Sequence, residues 1–283
     1  MSIKLLLSDH KLRERVITIA QQARDQLPPS PSPVDIQQIF KLQICFNHLP
    51  VDNDGVFIEN ERKIIINRNV SSEERRRFTL YHELIHHLIR EDADLYSYLH
   101  DAYEDTKVFN KMIENICNIG AAELILPRDR VRELIKKEGL SLNLIPQLCQ
   151  QDCVSGPAAM IQLVQCASNH CYGVACEFGI SPIKINHDQK SLFHTTKSGN
   201  LFILYATGSP SAKYSISRWT LIQHDHILAE AAVKQVVIKG QNRIPFRSGK
   251  DWIVSCEALR FRNSVYGLFN VTPPTNSQQL PLF

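Results

Sequence analysis

Apolar residues recur at helical spacing in several stretches of the chain, starting near its N-terminus. The first such stretch runs from about His10 to Leu27, and the PPSPSP segment at residues 28–33 should end that helix because proline cannot continue it. A short strand is expected over Leu42–Phe46. Two further apolar runs, Val56–Ile58 and Lys63–Asn67, flank a polar turn and predict a β-hairpin.

Two longer helices are predicted after the hairpin. Ser71 and Glu74 match the capping-box pattern, in which side chains bond to the free backbone N–H groups of a first helical turn, so a helix should begin near Ser72. Its apolar face extends over Phe78–Ile89. A second long helix should span about Asp105–Leu124 and end at the proline that follows.

Beyond Cys171 the pattern changes to short β-rich segments, among them NLFILYAT and SVYGLFNV, which turn residues separate. A chain of 283 residues is long enough for two compact units. We therefore expect an α+β protein with an N-terminal domain over residues 1–127, a helical segment over 128–168 and a β-rich domain over 169–283.

The amino-acid composition excludes few classes of function. A formal net charge of +3, with 22% charged residues, makes the chain mildly basic, which does not predict binding to a nucleic-acid backbone. The sequence shows neither a secretory leader nor an apolar run of about 18 residues, so we expect no membrane span and a cytoplasmic location. The eight cysteines include no CxxC pair, and we expect free thiols in a reducing compartment.

The candidate chemistry lies in the first of the two long helices. The segment HELIHHLI, residues 82–89, carries His82 and His86 four positions apart, so their rings project from one face of a helix and can reach one metal ion. Glu83 lies one position round the helix, where it can take a proton from a water molecule at that ion. This H-E-x-x-H pattern is typical of zinc peptidases, and it indicates that Glu83 is the general base.

A catalytic zinc site needs a third protein ligand and an open position. Asp92 lies six residues after His86, but the pattern that uses this spacing needs a glycine turn where this chain has Ile89. Glu114 lies on the second long helix, and a carboxylate from a neighbouring helix commonly completes such a site. Spacing favours Glu114 and leaves Asp92 open. Zn²⁺ is the expected ion, although Mn²⁺ or Fe²⁺ also bind two histidines and a carboxylate.

Two other segments suggest binding functions. Residues 144–165 have the helix-turn-helix outline of a DNA-binding motif. Its second helix, Ser155–Cys166, contains no Arg or Lys to contact bases or phosphates, so we expect no direct DNA binding. The Lys63–Asn67 strand is a candidate edge along which a protein substrate could align in an extended form, and a purely structural hairpin is the alternative.

The segments RRFTLYHELIHHLI and IENICNIGAAELILP resemble the ImmA/IrrE family of metallopeptidases. Members typically carry RFTLAHELGH, followed by E-x-x-A-N-x-F-A-A-x-L-L-x-P. The chain keeps Asn118 and has Cys117 in the place of the first alanine. It departs from the pattern at Ile85, where glycine is usual, and at Gly120, where an aromatic residue is usual.

The resemblance implies a ligand set, a layout and a function. The glutamate that leads the second motif corresponds to Glu114, which implies that it binds zinc with His82 and His86. The layout is similar to the IrrE branch, with a zincin-like N-terminal domain that holds the active-site helix, a helix-turn-helix-like bridge and a GAF-like C-terminal domain. The implied function is a zinc-dependent endopeptidase that cleaves a helix-turn-helix repressor at a specific site and so derepresses stress or DNA-damage genes. The alternative is a non-enzymatic DNA-binding regulator with a structural metal.

Overall fold

The computed structural model shows helices together with sheets, which confirms the α+β class. Of the 283 residues it describes 10–103, 105–179, 199–234, 236–246 and 252–271. The chain forms two compact units. The first comprises the residues up to Arg128 together with Asp152–Ser155, and the second comprises Asp129–Gln151 and the residues from Gly156 onward. Most of the helical segment expected at 128–168 therefore falls in the second unit.

The first unit combines helices with one small sheet. Its described elements are α1 (His10–Gln26), α2 (Pro33–Phe40), β1 (Gln43–Asn47), β2 (Gly55–Ile58), β3 (Lys63–Asn67), α3 (Glu73–Glu91), α4 (Ala93–Ala102) and α5 (Thr106–Ile125). The first helix, the hairpin and the two long helices lie where the apolar pattern predicts them. Helices α1 and α3 both pack against α5, and Leu84, Ile85 and Ile116 are among their buried side chains.

The strands of this sheet are ordered β1-β3-β2, with β1 parallel and β2 antiparallel to β3. Strand β3 is central, since Ile64 pairs with Ile44 on one side and with Phe57 on the other. The expectation that Lys63–Asn67 offers a free edge to a peptide is therefore wrong. Strand β2 is at an edge of the sheet and packs against α3. It is therefore the candidate strand for aligning an extended peptide.

Helix α3 begins one residue later than the capping pattern predicts. Ser72 is the N-cap, and its side chain accepts a hydrogen bond from the backbone N–H of Arg75. The Ser72 hydroxyl donates in turn to the Glu74 carboxylate at 2.6 Å. The predicted capping box between Ser71 and Glu74 is therefore wrong, because the adjacent serine occupies the cap and binds the same glutamate.

The second unit is built on a five-stranded sheet in which every neighbouring pair is antiparallel, in the order β5-β4-β8-β7-β6. Its described elements are α6 (Arg128–Glu138), α7 (Leu144–Asp152), α8 (Gly156–Cys166), β4 (Cys171–Gly179), β5 (Asn200–Gly208), α9 (Ile227–Val233), β6 (Ile238–Arg243), β7 (Ile253–Phe261) and β8 (Ser264–Asn270). Two end residues of these helices, Arg128 and Asp152, belong to the first unit. These strands confirm the β-rich texture expected beyond Cys171.

Helices α8 and α9 cover opposite faces of this sheet. Gly173 faces α8, since a Cβ atom at that position would lie 2.5 Å from Met160 Sδ. The next residue, Val174, points to the other face and joins a buried cluster that includes Leu228 of α9. Helix α8 is the second helix of the helix-turn-helix outline, and its buried side packs against this sheet.

The cysteines are free thiols, and six of the eight are buried, as expected for small apolar side chains. Burial raises the pKa of Cys171 to about 11 and the pKa of Cys256 to about 11, so both thiols stay protonated near neutral pH. Among the described residues, no helix combines the length and the apolar character needed to span a bilayer.

Candidate metal centre

Helix α3 presents two imidazoles to one space beside it. His82 and His86 are about one helical turn apart, and their Nε2 atoms lie 3.1 Å from each other. The two rings meet edge to face, with 4.9 Å between their centroids. Their Nε2 atoms can therefore bind the same ion without a change in the helix.

Glu114 on α5 points into the same space. Its Oε2 atom lies 3.1 Å from His82 Nε2, and its Oε1 atom lies 3.3 Å from His86 Nε2. Asp92, the other candidate ligand, forms an ion pair with Arg15 at 2.6 Å and caps the N-terminus of α4. The structure therefore brings Glu114, and not Asp92, to the paired histidines.

The chemistry of these three side chains fits a divalent cation. Imidazole nitrogens and carboxylate oxygens at 3.1–3.3 Å repel one another unless a proton or a cation lies between them. Hydrogen bonds with both histidines hold the pKa of Glu114 well below its usual range. Burial lowers the pKa of His82, but the bond with Glu114 and the charges of Glu83 and Glu114 outweigh it and raise that pKa. Positive charge is thus favoured here, and two imidazoles with a carboxylate are a common zinc donor set.

Asn118 orients the first histidine. Its Oδ1 atom lies 3.0 Å from His82 Nδ1, and it is placed one turn of α5 beyond Glu114. When Nδ1 carries the proton, its N–H donates to Asn118 and Nε2 keeps a lone pair for a metal. Asn118 therefore positions a candidate ligand, a role that the sequence analysis did not assign to it.

Glu83 lies next to the edge strand β2. It is buried, with only 8% of its surface exposed, and its carboxylate accepts a hydrogen bond from the backbone N–H of Phe57. Burial raises the pKa of Glu83, and the positive charges of His86 and His82 lower it only in part. A buried carboxylate with a raised pKa holds a proton better than an exposed one, which suits a general base.

A glycine lets strand β2 lie close to α3. A Cβ atom at Gly55 would lie 2.5 Å from Thr79 Cγ2 and 3.3 Å from Glu83 Cγ. A cleft of about 520 Å³ opens in front of β2 and contains the histidines, Glu83 and Glu114, with Phe78 and Arg90 at its walls. This volume is within the range of roughly 300–1,000 Å³ that is typical of ligand sites.

Cys117 is a residue of this site that the sequence analysis missed. Its Sγ atom and one ring nitrogen from each of His82 and His86 all lie within 4.8 Å of one another. The thiol is fully buried, and burial together with the charges of Glu114 and Glu83 raises its pKa well above the ordinary value. Its spacing of three residues from Glu114, on the same face of α5, is the signal that could have revealed it.

Comparisons with known proteins identify a matching family domain and two related proteins. Residues 38–150 match the model of the IrrE N-terminal-like domain. The chain is 30% identical over 223 residues to the radiation response metalloprotease IrrE of Deinococcus deserti, a region that covers 78% of this chain and 76% of that protein. It is 27% identical over 220 residues to the protein of the same name from Deinococcus radiodurans, covering 78% of this chain and 66% of that relative's length.

A solved structure shares the fold over nearly the whole chain. The similarity to a Mycobacterium tuberculosis transcriptional regulator has a TM-score of 0.58 and covers 94% of this chain and 78% of that chain. At 12% identity this similarity concerns the fold alone. The matched domain and the identity to the two Deinococcus proteins show that the chain belongs to the ImmA/IrrE family of metallopeptidases.

Proposed function

We propose that this chain is a zinc-dependent endopeptidase in which His82, His86 and Glu114 bind the ion and Glu83 is the general base. The observation that carries the proposal is the convergence of three donors from two helices, beside a buried carboxylate and within an open cleft. The family supports it, because both Deinococcus relatives are named as metalloproteases.

Different residues of the cleft have different roles in peptide hydrolysis. A divalent ion, when bound, would polarise a water molecule and the scissile carbonyl. Glu83 accepts the proton of that water and passes it to the leaving amine, and its raised pKa favours the first of these transfers. The Phe57 N–H holds the Glu83 carboxylate in position beside β2, and Asn118 holds His82 in the tautomer that leaves Nε2 free.

An extended segment of a protein substrate can align along β2. An edge strand offers unpaired backbone groups to an added strand, and the alternation of side chains gives specificity at every second residue. Strand β2 lies at the cleft and beside the general base, so a peptide paired with it would present its backbone near Glu83.

We infer that the substrate is a helix-turn-helix repressor whose cleavage derepresses stress or DNA-damage genes. The relatives' role in a radiation response supports a stress-linked substrate. In this proposal the protein acts in the cytoplasm, the domain over residues 1–127 is zincin-like, and the β-rich domain over residues 169–283 is a GAF-like regulatory domain.

The rival function is a DNA-binding regulator in which the metal is structural. A recognition helix needs an exposed basic face, whereas α8 contains no Arg or Lys and buries Ala159, Met160 and Leu163. A structural zinc site is closed, whereas these ligands lie in an open cleft beside a buried carboxylate. Both observations favour the peptidase.

The test is cleavage by matched variants. The zinc-loaded protein is incubated with purified helix-turn-helix repressors encoded beside its gene, and mass spectrometry identifies the fragments. Glu83→Gln should reduce cleavage by about 10²-fold or more while the bound zinc stays at the wild-type amount. Glu73→Gln, at the exposed first turn of the same helix, should cleave as the wild type does. Wild-type cleavage by Glu83→Gln refutes the base, and salt-dependent DNA binding without any cleavage supports the rival.

A further inference from the structure

Arg90 places a positive charge in a cleft that is otherwise rich in carboxylates. It lies one turn of α3 beyond His86, so it projects from the same face of the helix as the two histidines. Among the described residues it is the one Lys or Arg side chain that lines the cleft, whereas Asp54, Glu83 and Glu114 also line it. An acidic side chain of a bound peptide would therefore be attracted to Arg90.

The Arg90 guanidinium is held in place, with part of its set of donors left open. Its Nη1 atom donates to the Tyr96 hydroxyl at 2.7 Å and forms an ion pair with Glu59. The guanidinium carbon lies over the Tyr96 ring, 4.9 Å from its centroid. Among the described residues, both polar contacts of this side chain use Nη1, which leaves Nε and Nη2 for the two parallel hydrogen bonds that a guanidinium makes to a carboxylate. Because the side chain is already fixed, it loses little conformational entropy on binding.

Ion pairs at the two ends of β2 show that this strand and α3 run in the same direction. Asp54, just before β2, pairs with Arg75 in the first turn of α3. Glu59, just after β2, pairs with Arg90 in the last turn of α3. A peptide that pairs antiparallel with β2, which is the commoner and slightly more stable arrangement, would therefore have its N-terminal end near Arg90.

The distance along the helix gives the position in the peptide. Glu83 and Arg90 are seven residues apart, which corresponds to about 10 Å along the helix axis. An extended peptide advances about 3.3 Å per residue, so this distance spans about three residues. The long side chain of Arg90 can also reach back towards the second residue.

We propose that Arg90 is a specificity-determining residue that binds an acidic side chain of the substrate, two or three residues before the scissile bond. The inference rests on the proposed function, because it takes Glu83 as the general base beside the reacting carbonyl. It adds a preference in the substrate sequence, with the acidic residue on the N-terminal side of the cleaved bond.

Cleavage-site profiling of the zinc-loaded, full-length protein tests this preference. The probes are a tryptic peptide library of a bacterial proteome and the repressors used to test the proposed function, and mass spectrometry identifies every cleaved bond. Asp and Glu should be enriched over Asn and Gln at the second or third residue before that bond. Arg90→Gln should lose the enrichment. Arg76→Gln, at an exposed position of the same helix that does not line the cleft, should keep it.

Matched synthetic peptides separate recognition by Arg90 from a structural role. The peptides share the best-cleaved sequence and differ only in Glu, Gln or Lys at the selected position. Wild-type kcat/KM should be about tenfold higher for the Glu peptide than for the Gln peptide, which is the low end for a hydrogen bond to a charged group. Arg90→Gln should remove this ratio, and Arg90→Glu should favour the Lys peptide over the Glu peptide. Fluorescence anisotropy with the non-cleaving Glu83→Gln protein should show the same order of affinities.

The outcomes distinguish this inference from the proposed function. Cleavage without an acidic preference, with the preference on the C-terminal side, or with a preference that Arg90→Gln retains would overturn the inference alone. Equal losses for the Glu and Gln peptides in Arg90→Gln would show a structural role and would also overturn it. A protein that cleaves neither the library nor the repressors overturns the proposed function and this inference with it.

Discussion

The contact between Ile85 and Gly120 offers a direct test of how the two long helices fit together. Ile85 on α3 is fully buried, and a Cβ atom at Gly120 on α5 would lie 2.8, 2.9 and 3.0 Å from three of its carbon atoms. These distances are about 0.5 Å or more inside an ordinary carbon contact. We therefore expect the effect of Gly120→Ala on stability to change sign when Ile85 is shortened.

The magnitudes follow from the two opposing effects. In the wild-type background Gly120→Ala overpacks the contact by about 1–3 kcal/mol and gains about 1 kcal/mol from helix propensity, which gives a net destabilisation of about 0–2 kcal/mol. Ile85→Ala removes the three obstructing carbon atoms at a cost of about 2–5 kcal/mol. In that background Gly120→Ala should stabilise by about 1 kcal/mol, so the coupling energy is about 1–3 kcal/mol.

Urea unfolding of the four proteins measures this coupling. Far-ultraviolet circular dichroism is the appropriate signal, because Trp219 and Trp252 both lie in the second unit and do not report on the first. Leu84→Ala is the matched control, since Leu84 is equally buried but is not among the three nearest contacts of the added Cβ atom. Gly120→Ala should remain destabilising in that background. Additive effects of Ile85→Ala and Gly120→Ala, to within about 0.5 kcal/mol, would refute the reasoning.

Three other changes test the cleft and the second unit. Gly55→Ala should push β2 away from α3 and lower kcat/KM for repressor cleavage by about 10²-fold, while the circular dichroism spectrum stays unchanged. A wild-type rate would show that cleavage does not need the close packing of β2 on α3. Asn118→Ala should weaken zinc binding by about 10–100-fold in a chelator titration, and an unchanged affinity would exclude the orienting role. Glu257→Ala should destabilise the second unit by about 2–4 kcal/mol in tryptophan-monitored unfolding, because Glu257 accepts hydrogen bonds from the Ser141 hydroxyl and the Leu142 N–H; a loss below about 0.5 kcal/mol would contradict this.

The sequence was sufficient to predict the long helices and the pairing of His82 with His86, because both depend on local periodicity. It was not sufficient to identify the edge strand. The parallel pairing of β1 with β3 makes β3 central, and this pairing joins segments that no short turn connects. The position of the helix cap was also ambiguous, because Ser71 and Ser72 are both capping residues and only tertiary structure decides between them.

The third ligand shows why long-range contacts limit such predictions. Spacing along the chain left Asp92 open, and the residue that engages it, Arg15, is 77 positions away. Cys117 was overlooked because a buried thiol in an apolar stripe is usually a small core residue. In the sequence, Ile85 and Gly120 are two unrelated departures from the family pattern. In the structure they are in contact, so the large residue and the small residue have changed places across one helix interface.

The short return of residues Asp152–Ser155 to the first unit determines where this protein can be cut for expression. The backbone carbonyl of Asp152 accepts a hydrogen bond from Arg77 Nη1 at 2.6 Å, on the same helix as the candidate ligands. A fragment that stops at Arg128 would lack this acceptor, so Arg77 would lose one of its hydrogen bonds. A minimal fragment of the first unit should therefore extend through Ser155. The second unit cannot be excised as one uninterrupted piece of gene, because it includes Asp129–Gln151 as well as the residues from Gly156 onward.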